Sequence, residues 1–194
     1  QMWQPVLMIN GYLISVLGLA MLIPAAVDML ETGRNWSLFV TSSIVSLFIG
    51  LSLFLGNRTK IEKITLQQGY LLTAVSWVSL TLLATLPFIL SDVTPGFANA
   101  LFEAMSGLST TGATVITDLE VLPDSILLWR SMLNGLGGVG IVIFAVALLP
   151  FLGIGGMQIF QRENSDLNDK FMPKFNYIAK RIMAVYFILV ALCA

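Results

Sequence analysis

Histidine is absent from the chain, and the single cysteine, Cys193, sits inside an apolar run. The first absence removes the commonest general base and the commonest metal ligand. The second excludes a disulfide framework and a thiolate metal centre. Charge is scarce too: 11% of the 194 residues are Asp, Glu, Lys or Arg, against about a quarter in soluble domains. No basic face is available for nucleic acid, so no such partner is expected. Apolar surface fills the place of charge, with 57% hydrophobic residues and a mean hydropathy of +0.87. These values predict an all-α integral membrane protein whose first partner is membrane lipid.

The sparse charges mark out the spans. Windows 1–27, 35–57, 64–91, 131–161 and 182–194 contain no Asp, Glu, Lys or Arg. A spanning helix needs roughly 20 apolar residues, which the first four windows supply and the last does not. The expectation is therefore a part of a longer polypeptide, cut inside a fifth spanning helix; Gln1 in place of a methionine points the same way. A signal peptide over the first window would need a basic leader, and residues 1–6 (QMWQPV) have none.

Orientation follows from the loops. Segment 28–34 carries Asp28, Glu31 and Arg34, whereas 58–63 carries Arg58, Lys60 and Lys63. Connection 92–125 has no basic residue but holds Asp92, Glu103, Asp118, Glu120 and Asp124, and segment 162–181 holds Arg162, Lys170, Lys174, Lys180 and Arg181. Basic loops stay on the cytoplasmic side, so the connections alternate out, in, out, in, from a cytoplasmic amino terminus.

The acidic outer connection is more than a loop. Residues 95–106 read as a short helix, with Thr94 as its N-cap and Pro95 in the first turn; Phe97, Leu101 and Met105 mark one apolar face. At about 18 Å such a helix reaches only partway through a bilayer. Its continuation, "GLSTTGATV" (107–115), must then return as non-helical backbone, which membrane depth tolerates only inside protein or along a watery cavity. Three consecutive hydroxyl residues, Ser109, Thr110 and Thr111, precede Gly112 there. An alkali cation leaving water needs a replacement oxygen shell, and backbone carbonyls provide one without carboxylate-tight binding. Gly112 can take the positive φ that aims neighbouring carbonyls to one side. The helix carboxyl end favours a cation, and the five acids would concentrate cations at the mouth. A structural Ser/Thr turn behind an interfacial helix is the competing interpretation of the same residues.

"FEAMSGLSTTGATV" (102–115), followed by "LLWRSMLNGLGGVGIVIFAVALLPFLGIGGMQIFQRE" (127–163), resembles the amino-terminal portion of the TrkH branch of the Trk/Ktr/HKT superfamily of potassium transporters. The resemblance implies a potassium-channel-like helix–pore-helix–helix repeat preceded by a two-helix transmembrane hairpin. The hairpin would cover 1–57, with spans 7–27 and 36–56. The first pore repeat would cover 64–161, comprising helix 65–90, pore helix 95–106, filter 109–114 and helix 129–149. Residues 174–194 would begin a second repeat, this chain supplying one of the four. By the same resemblance Ser109, Thr110, Thr111, Gly112 and Ala113 are the ion-binding residues, with potassium held at Thr110, Thr111 and Gly112. Channels carry Thr-Val-Gly-Tyr-Gly there, and the second glycine is lost. The implied function is potassium uptake across a bacterial cytoplasmic (inner) membrane. The implied partners are a second copy, forming a homodimer, and a cytosolic nucleotide-binding regulatory ring of the TrkA type, with 157–181 as its contact.

Further features carry structural expectations. Gly135, Gly137, Gly138 and Gly140 should let the helix after the filter pack closely. Pro150 with Gly153, Gly155 and Gly156 should break that helix. Glu103 and Arg130, the only charges flanking the filter inside predicted helices, should pair and support it. An intramembrane hydrolase built on Ser109 would lack a base, so no enzyme is expected. A non-conducting structural or adaptor subunit stands as the alternative function.

Overall fold

The computed structural model describes residues 3–31, 33–59 and 65–148, with residues 181, 184–186 and 188. The described elements are helical: α1 (Trp3–Ala20), α2 (Leu22–Glu31), α3 (Trp36–Gly56), α4 (Leu66–Ala84), α5 (Leu86–Leu90), α6 (Gly96–Leu108) and α7 (Asp124–Leu148), with a 3-10 turn at Leu119–Val121. Four stretches are long and apolar enough to cross a membrane: Trp3–Glu31, Trp36–Gly56, Gln67–Leu90 and Asp124–Val142. Large apolar side chains stay exposed on them; Phe48 is 74% exposed, as lipid-facing surface should be.

Two spans expected as single helices are broken. The first runs from Trp3 to Glu31 with an interruption at Met21, three residues before Pro24. Proline has no N–H for the carbonyl four residues back, although Met21 N to Leu17 O (3.1 Å) and Ala25 N to Met21 O (3.4 Å) carry the chain across. The third span is interrupted at Thr85, two residues before Pro87. Thr65 opens α4 through a capping box with Gln68: its hydroxyl accepts from Gln68 N at 3.3 Å, and Gln68 Oε1 accepts from Thr65 N at 3.0 Å.

The hairpin packs by small residues. A Cβ on Gly11 would fall 2.6 Å from Phe54 N, and one on Gly50 would fall 2.7 Å from Ser15 N. Ser43 Oγ donates to Gly18 O at 2.7 Å across the same seam. Lipid tails are as apolar as leucine, so close approach and interhelical hydrogen bonds, rather than oil-drop burial, hold such helices together.

The chain forms two compact units, residues 1–137 and 138–194. The core of the first gathers Leu17, Phe39, Ala84, Phe88, Ala100, Ala104, Ile126, Trp129 and Leu133. It thus joins the hairpin, α4–α6 and the start of α7. In the second, Tyr186 packs on Gly138, where a Cβ would lie 2.8 Å from the Tyr186 hydroxyl. The helix break expected at Pro150, the basic segment 162–181 (Arg181 apart) and most of 174–194 lie outside the described residues.

Candidate functional site

α6 has 13 residues and so measures about 20 Å, short of the roughly 30 Å hydrocarbon core. Its start differs by one residue from expectation. Pro95 is the N-cap and makes no side-chain cap bond, while Thr94 is buried with its hydroxyl unbonded among the described residues. The buried face consists of small residues, Ala100, Ala104, Ser106 and Gly107, with Glu103 and Leu108. The larger Phe97 and Met105 point outward. An open groove between α4 and α6, lined by Trp77, Val78, Leu82, Ala98, Leu101 and Met105, is almost wholly apolar and offers nothing to an ion.

The end of α6 is turned by a cap. Ser109 is the C-cap, Thr110 N donates to Gly107 O at 2.9 Å, and Thr111 N donates to Ser106 O at 3.0 Å. This is the paired hydrogen-bond pattern of a Schellman motif, whose next residue is left-handed and usually glycine. Here that residue is Thr110, at φ +57°, a conformation costing an L-residue roughly 1–2 kcal/mol. Gly112 is left-handed as well, at φ +73°, and a Cβ there would meet nothing within 4 Å. Gly112 is therefore required for its dihedral, not for space.

Beyond the cap the backbone is irregular and extended, and both ends of this return segment are tied down. Ser106 Oγ donates to Ala113 O at 2.6 Å. Glu103 Oε1 accepts from Thr114 Oγ1 at 2.6 Å and from Val115 N at 2.7 Å. Arg130 Nε approaches Glu103 Oε2 to 3.1 Å. No described donor is aligned as a hydrogen bond on that oxygen, so charge rather than directional bonding holds it. Glu103 is 2% exposed. A carboxylate that accepts from an amide and a hydroxyl makes strong charge-assisted contacts, the guanidinium adds its opposite charge, and burial without them would be costly.

The sequence-predicted residues thus come together in one assembly. Ser109, Thr110, Thr111, Gly112 and Ala113 form the turn and return segment, and Glu103 and Arg130 lie behind it. Ser109 and Thr111 hydroxyls share a 2.8 Å hydrogen bond. Among the described residues, no hydrogen bond reaches the carbonyl oxygens of Thr110, Thr111 or Gly112, and all three residues are exposed. Ala113 differs, because the Ser106 hydroxyl already occupies its carbonyl. Glu103 differs also from its expected place among the acids of the mouth, since it is buried and bonded; Asp92, Asp118, Glu120 and Asp124 remain exposed. No cluster of three or more carboxylates or thiols able to hold a metal exists among the described residues.

α7 is positioned by its buried side. Trp129 Nε1 donates to Ala84 O at 3.2 Å, and its ring meets Phe39 edge-on at 6.4 Å. Gly137 packs against the end of α6, where a Cβ would fall on the Leu108 carbonyl. Gly107 faces Leu133 across the same seam, where a Cβ would lie 2.9 Å from the Leu133 Cβ. Sequence reasoning missed the left-handed Thr110, the Ser106–Ala113 bond and the contact of Asp28 with Ser125; no local pattern of residues announces any of the three.

Four membrane-length apolar helices, with a shorter helix and an extended return segment between the last two, define a multi-pass, all-α membrane protein. The TrkH family model, described as cation transport protein, matches residues 36–194. The chain belongs to that family. It is 37% identical over 185 residues to the Trk system potassium uptake protein TrkI of Halomonas elongata, covering 95% of this chain and 37% of that protein. It is also 37% identical to the Trk system potassium uptake protein TrkH of Escherichia coli K12, covering 96% of this chain and 39% of that one. The crystal structure of the potassium transporter TrkH from Vibrio parahaemolyticus superposes with a TM-score of 0.81 at 33% identity, over 96% of this chain and 37% of that structure. The chain spans about two-fifths of the length of these relatives. Its relatives and fold are those of a transport family, not of an enzyme.

Proposed function

We propose that this chain supplies one of four pore repeats of a potassium uptake protein, with the return segment as its selectivity filter. One observation carries the reading. Three successive carbonyls, of Thr110, Thr111 and Gly112, are free of hydrogen bonds among the described residues, on backbone made left-handed at 110 and 112 and tied down on either side. An unpaired backbone carbonyl at membrane depth is costly, and an ion that exchanges its hydration shell for such oxygens offsets that cost. Potassium is then the bound and transported ion, held at Thr110, Thr111 and Gly112. Ser109 and Ala113 flank them, and Glu103 with Arg130 supports the segment. The printed names of the relatives, potassium uptake proteins of the Trk system, point to the same cation.

The remaining assignments follow from this reading. Residues 1–57 form the amino-terminal hairpin, 64–161 the first pore repeat and 174–194 the start of a second. The protein sits in a bacterial inner membrane with its amino terminus cytoplasmic, because the basic connections lie on that side. It works as a homodimer with a TrkA-type nucleotide-binding ring, and conducts inward. A non-conducting adaptor would have no use for exposed, unpaired carbonyls on anchored backbone. The test is Gly112→Ser in the full-length protein reconstituted in vesicles. A side chain at φ +73° forces the segment toward other dihedrals, so potassium preference over sodium should fall. Unchanged discrimination would refute the assignment.

A further inference from the structure

The amino-terminal hairpin directs a buried carboxylate at α7, the helix whose Arg130 secures the return segment through Glu103. Asp28 is 2% exposed. Its Oδ2 accepts from Asn35 N at 2.7 Å, closing the connection between α2 and α3. Its Oδ1 accepts from Ser125 Oγ at 3.0 Å, 97 residues further along the chain. Ser125 is the second residue of α7, where a negative charge is favoured by the helix dipole, and it is itself buried. One turn later Trp129 meets Phe39 of the hairpin. The next residue, Arg130, pairs with Glu103, which in turn holds Thr114 and Val115.

A continuous set of bonded and packed groups therefore leads from the hairpin to the return segment. A carboxylate is a costly choice for merely joining two helix ends in a buried place; its advantage is a bond about twice as strong as a neutral one. We infer that Asp28 is a positioning residue for the filter. By fixing the outer end of α7 through Ser125, it sets the register at which Arg130 holds Glu103, and so the orientation of the Thr110–Gly112 carbonyls. The hairpin is then a brace for ion discrimination and not only a membrane anchor. The inference rests on the filter reading and extends it.

The test compares potassium and sodium uptake in vesicles holding the full-length protein, because their ratio does not depend on how much protein folds. Asp28→Asn and Ser125→Ala should each lower the preference for potassium by about threefold or more, within the range for substitutions along a coupled network. The double variant should do no more than Asp28→Asn alone, since Ser125→Ala removes a bond that loss of the carboxylate charge has already weakened. Ser43→Ala serves as the control: it removes a hairpin bond to Gly18 O with no link to α7, so it should lower melting temperature and leave the ratio intact. The inference is overturned if Asp28→Asn and Ser125→Ala both keep the wild-type ratio while Gly112→Ser lowers it. It is equally overturned if Ser43→Ala shifts the ratio as much as they do. A Gly112→Ser variant with unchanged discrimination removes the filter reading itself, and this inference with it.

Discussion

Replacing Gly137 by alanine should damage the molecule far more than the same change elsewhere on its helices. A Cβ at 137 would lie 2.6 Å from the Leu108 carbonyl carbon and 3.0 Å from its Cα, with the carbonyl oxygen nearer still. These are backbone atoms, so no side-chain rotation relieves the overlap. Leu108 is the last residue of α6, and pushing it away carries the cap and Ser109–Gly112 with it. Overpacking of this kind costs about 1–3 kcal/mol. For a chain of this size that corresponds to a fall in melting temperature on the order of 2–12 °C. Gly56→Ala and Gly69→Ala are the controls, since a Cβ at either position meets nothing within 4 Å among the described residues. Each should be neutral or gain up to about 1 kcal/mol from reduced backbone freedom in the unfolded chain. Thermal unfolding of the detergent-solubilised variants measures the difference. Gly137→Ala melting no lower than the two controls would refute the close α6–α7 contact.

The ion pair and the tryptophan anchor give further expectations. Glu103→Gln keeps an oxygen for Thr114 and Val115 but leaves Arg130 without its counter-charge. The loss should be about 2–3 kcal/mol, below the fully buried range because the Arg130 side chain is 18% exposed. Adding Arg130→Gln should cost less than the sum of the single changes, and strict additivity in unfolding measurements would argue against the pair. Trp129→Phe keeps an aromatic ring against Phe39 but removes the donor to Ala84 O and part of the buried ring volume, which predicts a loss of about 1–3 kcal/mol. Trp129→Ala should lose about 3–5 kcal/mol by emptying the core, and equal melting of the two variants would contradict this division.

Much of the membrane architecture was legible because charge and length alone define a span. The charge-free window 35–57 contains α3 at Trp36–Gly56, and its edges are set by Arg34 and Arg58. The breaks at Met21 and Thr85 were not read, although Pro24 and Pro87 were visible. Proline leaves the hydropathy of a segment unchanged, and the interruption shows only in the backbone bonding. The meeting of Glu103 and Arg130 could be foreseen, since a buried charge needs a partner and few were on offer. Its further bonds to Thr114 and Val115 could not, because they depend on how the chain returns. Thr110 is the hardest case: threonine is a poor left-handed residue, and the glycine that would announce a helix cap stands two positions later, at 112. Asp28 looked like an ordinary loop acid because Ser125, its partner, is 97 residues away.

The most direct measurement is anomalous diffraction from crystals of the full-length protein soaked in rubidium or thallium, both potassium-like and electron-rich. The account predicts a peak within coordination distance of the carbonyl oxygens of Thr110, Thr111 and Gly112. Density confined to the exposed acids Asp118, Glu120 and Asp124, with none at those carbonyls, would contradict it.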